Sequence, residues 1–174
     1  MTIKFSEAIS EKTKQRMEYV KENEKNLQPG VVTVTVRKDN DFLSSAVRAG
    51  SDLVWYSDET RERGGLGKGP SPLSYFMSSM GLCQMVHYAE HSMVDNIPLD
   101  SVEIRIDGKF SMQRPRRFTE VSYEVKIQST ASEDSVKKLA RASADDCYVT
   151  GTLKSACPVT GVVIHNGRKI DRHR

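Results

Sequence analysis

Cysteine is scarce, with three in 174 residues, and an odd number cannot close into a fully paired disulfide framework. That usage fits a reducing cytoplasm better than a secreted, disulfide-stapled domain, and cytosolic disulfides tend to be transient and catalytic. A dominant charge sign is also missing: 26 Lys and Arg against 23 Asp and Glu leave a net charge of +3. This is too little to imply nucleic acid, and no basic stripe interleaved with aromatics accompanies it. Arg114, Arg116 and Arg117, beside Pro115, read as a solvated hairpin turn, and the basic tail 168–174 reads as solvated in the same way. No run is long and apolar enough to cross a bilayer. Met1–Glu7 is not followed by the apolar stretch of a signal peptide. The expectation is a cytoplasmic protein with neither nucleic acid nor membrane as a partner.

What the chain does contain is ordinary for a globular protein: 37% hydrophobic and 28% charged residues. Its length favours one domain with a sizeable core. Residues 5–27 are densely charged around a sparse stripe of Ile9, Met17 and Val20, closed by Gln28-Pro29-Gly30. They read as an exposed helix, so residues 1–28 form a helical extension before a main domain over 29–174. Val32, Val34 and Val36 alternate with polar residues and open a three-stranded meander that returns through 42–48 and 53–57. A charged loop and the run Gly64-Gly65-Leu66-Gly67-Lys68-Gly69-Pro70-Ser71-Pro72 lead into a helix over about 72–94. Its first half is apolar on nearly every side, as in a helix inside a core or an oligomer interface. Two alternating strands follow, around 102–107 and 121–127, then a helix with Thr130 and Glu133 at capping-box spacing, then a last strand over 162–165. The order is that of an α+β protein.

Three motifs carry candidate chemistry. The glycine loop precedes a helix, where phosphate can bind, but Gly67-Lys68 is followed by Gly69 and Glu62 stands where a P-loop has its first glycine. It reads as a flexible loop admitting the chain to a buried helix. His87-Tyr88-Ala89-Glu90-His91 matches a zinc-peptidase pattern, and Cys83 lies one turn earlier, so Cys83, His87 and His91 form an alternative metal-ligand set. Cys147-Tyr148-Val149-Thr150-Gly151 is echoed by Cys157-Pro158-Val159-Thr160-Gly161. Nothing local chooses between Cys147 and Cys157 as a partner for Cys83.

The loop into the helix with Gly81-Leu82-Cys83, the segment Cys147-Tyr148-Val149-Thr150-Gly151-Thr152-Leu153 and the element order together resemble the OsmC/Ohr family, the osmotically inducible protein C and organic hydroperoxide resistance proteins. The resemblance covers about residues 30–170. It implies antiparallel sheets wrapped around a buried central helix in an intertwined homodimer. It implies a thiol-dependent peroxidase of oxidative-stress defence, without cofactor or metal, that reduces organic and inorganic hydroperoxides and is recycled by an external dithiol. Cys83 matches the attacking cysteine and Cys147 the resolving one, with Cys157 second. Arg63 matches the family's arginine, ahead of Arg61 and Arg48. The family's glutamate directly follows the loop proline, whereas Leu73 follows Pro72 here; Glu62 or Glu59 stands in for it. Phe76, Met77 and Met80 read as the lining for an alkyl or lipid hydroperoxide. A relative that has lost catalysis and keeps a small-ligand pocket is the alternative.

Overall fold

The computed structural model describes residues 2–39, 41–156 and 159–173. It divides into two compact units, residues 25–76 and residues 1–24 with 77–174.

In the unit 25–76, the period-two valines form the expected meander: β1 (Val34–Lys38), β2 (Ser44–Arg48) and β3 (Val54–Ser57), antiparallel in that order. Val36 pairs with Ala46, and Ala46 with Trp55. The following loop departs from the flexible segment its glycines suggest. Asp58 is 1% exposed, and its carboxylate accepts hydrogen bonds from the backbone N–H groups of Glu59 (2.8 Å), Leu66 (3.0 Å) and Lys68 (3.1 Å). Burial pushes this carboxyl up, but the N–H groups of Lys68, Glu59, Leu66 and Gly67 outweigh it and hold it below its ordinary range. Glycine serves here for close approach. At Gly69 a Cβ would lie 2.5 Å from the Tyr56 carbonyl oxygen.

In the other unit, α1 (Glu7–Asn23) starts at Ser6, whose hydroxyl accepts from the Ile9 N–H. The helix buries no residue and is tied down by polar contacts: Arg16 with Glu90, and Lys14 Nζ with Asn96 Oδ1 at 3.0 Å. α2 (Pro72–Val94) runs as expected, and from Met77 onward it belongs to this unit. It buries Met80, Gln84, Tyr88 and Ser92, one residue per turn along a single face. Gly81 lets it pack closely: a Cβ there would meet Ile106 Cδ1 at 2.9 Å.

That face covers a four-stranded sheet, β4 (Ser101–Ser111), β5 (Arg117–Gln128), β6 (Val159–His165) and β7 (Arg168–His173), in chain order. β4–β5 and β6–β7 are antiparallel, but β5–β6 is parallel, so the sheet is mixed rather than antiparallel throughout. Parallel pairing requires a crossover connection, supplied by α3 (Glu133–Asp145) and α4 (Tyr148–Ala156). Val121, Val125, Ile127, Val136, Leu139 and Val163 are wholly buried with Met80 and form the core. Each such aliphatic side chain contributes about 1.5–3 kcal/mol.

Two local expectations are corrected. α3 is capped by Ser132, which accepts from the Ser135 N–H at 3.2 Å, and not by a Thr130–Glu133 box. Glu133 is the first helical residue, and its carboxylate pairs with Lys137 and Arg168 instead. The basic tail is not a loose solvated segment but β7. Its Asp171 receives Arg141 Nε at 2.8 Å, and charge suits an edge strand.

Candidate active site

Cys83 and Cys147 come together inside the second unit. Cys83 is half-buried on α2, beside the buried Gln84 and the outward-facing Leu82. Cys147 is 1% exposed and joins α3 to α4. The Gly151 N–H donates to its carbonyl at 2.9 Å, the first bond of α4, and the Thr150 N–H donates to its Sγ at 3.4 Å. Cys147 therefore caps α4 with sulfur, in the place usually taken by a serine or aspartate oxygen. Both are free thiols.

The Cys147 thiol lies against the Met80 carbonyl, one turn before Cys83 on α2, and the Cys83 thiol feels the Cys147 thiol and the backbone N–H groups of Val149 and Tyr148. It thus neighbours the N-terminus of α4, where unpaired N–H groups and the helix dipole favour negative charge. Burial pushes the Cys83 thiol up most strongly; the Val149 N–H pulls it down, contact with the Cys147 thiol raises it, and the Tyr148 N–H lowers it. The net direction is upward. A hollow of about 450 Å³ lined by Asp145, Asp146, Cys147, Tyr148, Gly151 and Thr152 adjoins Cys147.

The other expected residues stand as follows. Cys157 lies outside the described residues. Arg63 belongs to the unit 25–76, where it is exposed and its Nε is 3.5 Å from Glu59 Oε2. Glu62 is exposed in a single 3₁₀ turn, Arg61–Arg63. Its own backbone N–H and the Thr60 hydroxyl bond its carboxylate and hold it below the ordinary range.

The sequence model of the OsmC-like protein family matches residues 65–161, a span that includes both thiols, α2 and α4. The chain belongs to the OsmC-like family. No curated protein matches it. Among solved structures, this OsmC-like protein is similar to the OsmC-like protein of Mycoplasma pneumoniae, with 16% identity and a TM-score of 0.68 over 79% of this chain and 100% of that one. It is also similar to the organic hydroperoxide resistance protein OsmC of Legionella pneumophila, with 14% identity and a TM-score of 0.60 over 79% and 99%. An organic hydroperoxide resistance protein of Elizabethkingia anophelis, crystallised with thiocyanate bound, gives 12% identity and a TM-score of 0.62 over 80% and 99%. These likenesses establish the OsmC-like fold.

The alternative metal set is not assembled in this OsmC-like chain. His87 Nδ1 is paired with Glu90 Oε2 at 3.0 Å, and His91 Nε2 with Asp146 Oδ2 at 2.8 Å. Among the described residues no cluster of three or more His, Cys, Asp or Glu is placed to hold a metal ion. The expected apolar lining is also redrawn. Met80 is wholly buried in the core, and Met77 packs close to Gly108. The apolar side chains exposed around Cys83 are Leu82, Met85 and Val86 on α2, and Tyr148 at the start of α4. Neither α4 nor its donor N–H groups announced themselves in the sequence. Tyr148-Val149-Thr150-Gly151-Thr152 combines β-branched residues with glycine and has poor helix propensity; the thiol-capped turn is the one local signal.

Proposed function

We propose that this chain is a thiol-dependent peroxidase that reduces organic hydroperoxides through Cys83 and Cys147 in defence against peroxide stress. The observation that carries the reading is the nearness of the two thiols at the N-terminus of α4, with Cys147 Sγ seated between the Thr150 N–H and the Met80 carbonyl. A thiolate is the nucleophile, and burial opposes it at Cys83. The Val149 and Tyr148 N–H groups supply the opposing stabilisation. Attack on the hydroperoxide forms an S–O bond and breaks the O–O bond. Cys83 becomes a sulfenic acid, and the alcohol leaves with one proton from solvent. The Cys147 thiol then attacks that sulfur, the disulfide forms, and its proton departs with the hydroxyl as water. An external dithiol returns both thiols and is itself oxidised. The exposed apolar side chains beside Cys83 suit an alkyl group on the substrate.

Arg63 is proposed, from its place before the glycine run, as the cation that favours thiolate and peroxide oxygen. The chain is proposed to act as a cytoplasmic homodimer. The uncovered Leu82, Met85 and Val86 support a second copy against α2, since a contiguous apolar ridge is a common mark of an interface.

The test is to oxidise the reduced protein with an organic hydroperoxide and map disulfides by mass spectrometry. The expected product is Cys83–Cys147. A Cys83 that joins neither Cys147 nor Cys157 removes the two-cysteine cycle, and an unchanged peroxide rate in Arg63→Ala removes that residue's role. Leu73, where the family has its glutamate, favours a second reading, an OsmC-like protein with weak catalysis that binds a small apolar ligand. Tight binding of an apolar ligand with negligible peroxide turnover would select it.

A further inference from the structure

Gln84 follows Cys83 directly and is wholly buried. Its Nε2 donates to Thr150 Oγ1 at 3.0 Å, and Thr150 is also wholly buried. The backbone N–H of Thr150 is the group that bonds Cys147 Sγ at 3.4 Å. A continuous line thus runs from Cys83 through its sequence neighbour, across one interior hydrogen bond, to the turn that holds Cys147. On its other side Gln84 neighbours the Tyr123 hydroxyl, whose Oη lies 2.6 Å from His173 Nδ1 on β7. The glutamine therefore joins α2 to α4 beside the sheet.

An amide is a costly choice for this position. Gln84 Oε1 is buried and accepts no hydrogen bond among the described residues, and a buried polar atom without a partner is destabilising. An apolar side chain of similar length would fill the same space without that penalty. What the amide adds is direction: it fixes the rotation and height of α2 against the first turn of α4, which apolar packing leaves free to slide.

We propose that Gln84 is a positioning residue that holds the Cys147 thiol in line with the sulfenic acid on Cys83, so that it governs disulfide formation and not the attack on peroxide. This rests on the peroxidase reading. In the step concerned, the Cys147 S–H and the Cys83 S–OH give an S–S bond and one water. A disulfide tolerates little error, because its Cα atoms must come within about 4.4–6.8 Å with a restricted dihedral. Attack on a diffusing hydroperoxide carries no such requirement between the two helices.

The experiment compares the wild type with Gln84→Met, Thr150→Val and Thr150→Ser. Each reduced protein is mixed with one equivalent of an alkyl hydroperoxide and quenched over time with a dimedone-type trap for sulfenic acid. Trapped Cys83 and the Cys83–Cys147 disulfide are then counted by mass spectrometry. The expected result is sulfenic acid formation at the wild-type rate in all variants. Conversion to disulfide should be at least tenfold slower in Gln84→Met and Thr150→Val, with the sulfenic acid accumulating, and Thr150→Ser should recover the wild-type rate. Thr150→Val keeps volume and deletes only the accepting hydroxyl, so it reads the same step should Gln84→Met fail to fold. Wild-type disulfide rates in the variants, or equal slowing of both steps, overturn the positioning role alone. A wild type that forms no Cys83–Cys147 disulfide overturns the peroxidase reading, and this role with it.

Discussion

Replacing Tyr148 by proline deletes one backbone N–H at the N-terminus of α4 while leaving the helix able to form. Position 148 is the first residue of the helix, where proline is well tolerated because its φ is already helical and the missing N–H has no intrahelical partner. The preceding Cys147 is the capping residue, and an extended cap is compatible with a following proline. The tyrosine ring is 83% exposed, so little packing is lost with it. What disappears is one donor to the Cys83 sulfur. A hydrogen bond to a charged group contributes about 1.5–3 kcal/mol. Cys83 is only partly buried and solvent screens the interaction, so the low end applies. About 1.5 kcal/mol lowers the thiolate population about tenfold at a fixed pH. The thiolate that remains is more basic and more nucleophilic, which on a Brønsted slope of about 0.4–0.5 returns about threefold. The net expectation is alkylation of Cys83 about threefold slower at neutral pH, with a plateau about threefold faster in alkali. Iodoacetamide labelling across pH, followed on the Cys83 peptide by mass spectrometry, measures both limbs. A profile that overlays the wild type refutes the part given to the α4 terminus. A uniform drop at every pH refutes it too, since that pattern signals lost structure rather than a lost donor.

Two further outcomes follow from the core and from β7. Met80→Ala removes a wholly buried side chain between α2 and the sheet, and should cost about 2–5 kcal/mol in urea unfolding. His173 is held below its ordinary value of 6.5, chiefly by burial, with Asp171 opposing. The folded state therefore binds fewer protons than the unfolded one as pH falls. Stability from this group is full above pH 6.5 and declines as pH drops from there through the folded value. His173→Gln should flatten that part of the urea midpoint-versus-pH curve, and an unchanged slope would exclude the histidine as its source.

Most of the fold was legible because its signals were local. The valine alternation placed β1, although all of its residues are exposed, and the alternating strands placed β4 and β5, since each of these two covers one face and wets the other. The apolar character of α2 marked it as a helix, but only one face, from Met80 to Ser92, is buried, and Leu82, Met85 and Val86 stand exposed. The parallel β5–β6 pair was illegible because register between distant strands leaves no mark in either one. β7 was missed because Ile170 is the lone apolar residue among charges, so its pairing comes from β6 rather than from its own pattern. At the site, both thiols were legible as a motif. The helix α4, Tyr148–Ala156, beside them was not, nor was the use of Gln84, because a glutamine one residue after a cysteine says nothing about which side of a helix is dry.

Asp58 gives the glycine loop a property that its composition conceals. Four glycines within six residues would ordinarily make an easy target for proteolytic nicking. Here a single carboxylate holds the N–H groups of Leu66 and Lys68 inside that stretch, so its backbone stays tethered for as long as the group is ionised. The clasp is complete above the ordinary carboxyl value of 3.8 and slackens only as acid reaches the lower value held in the fold. Resistance of this stretch to digestion is thereby tied to the charge of one side chain, and not to the stiffness of the backbone it restrains.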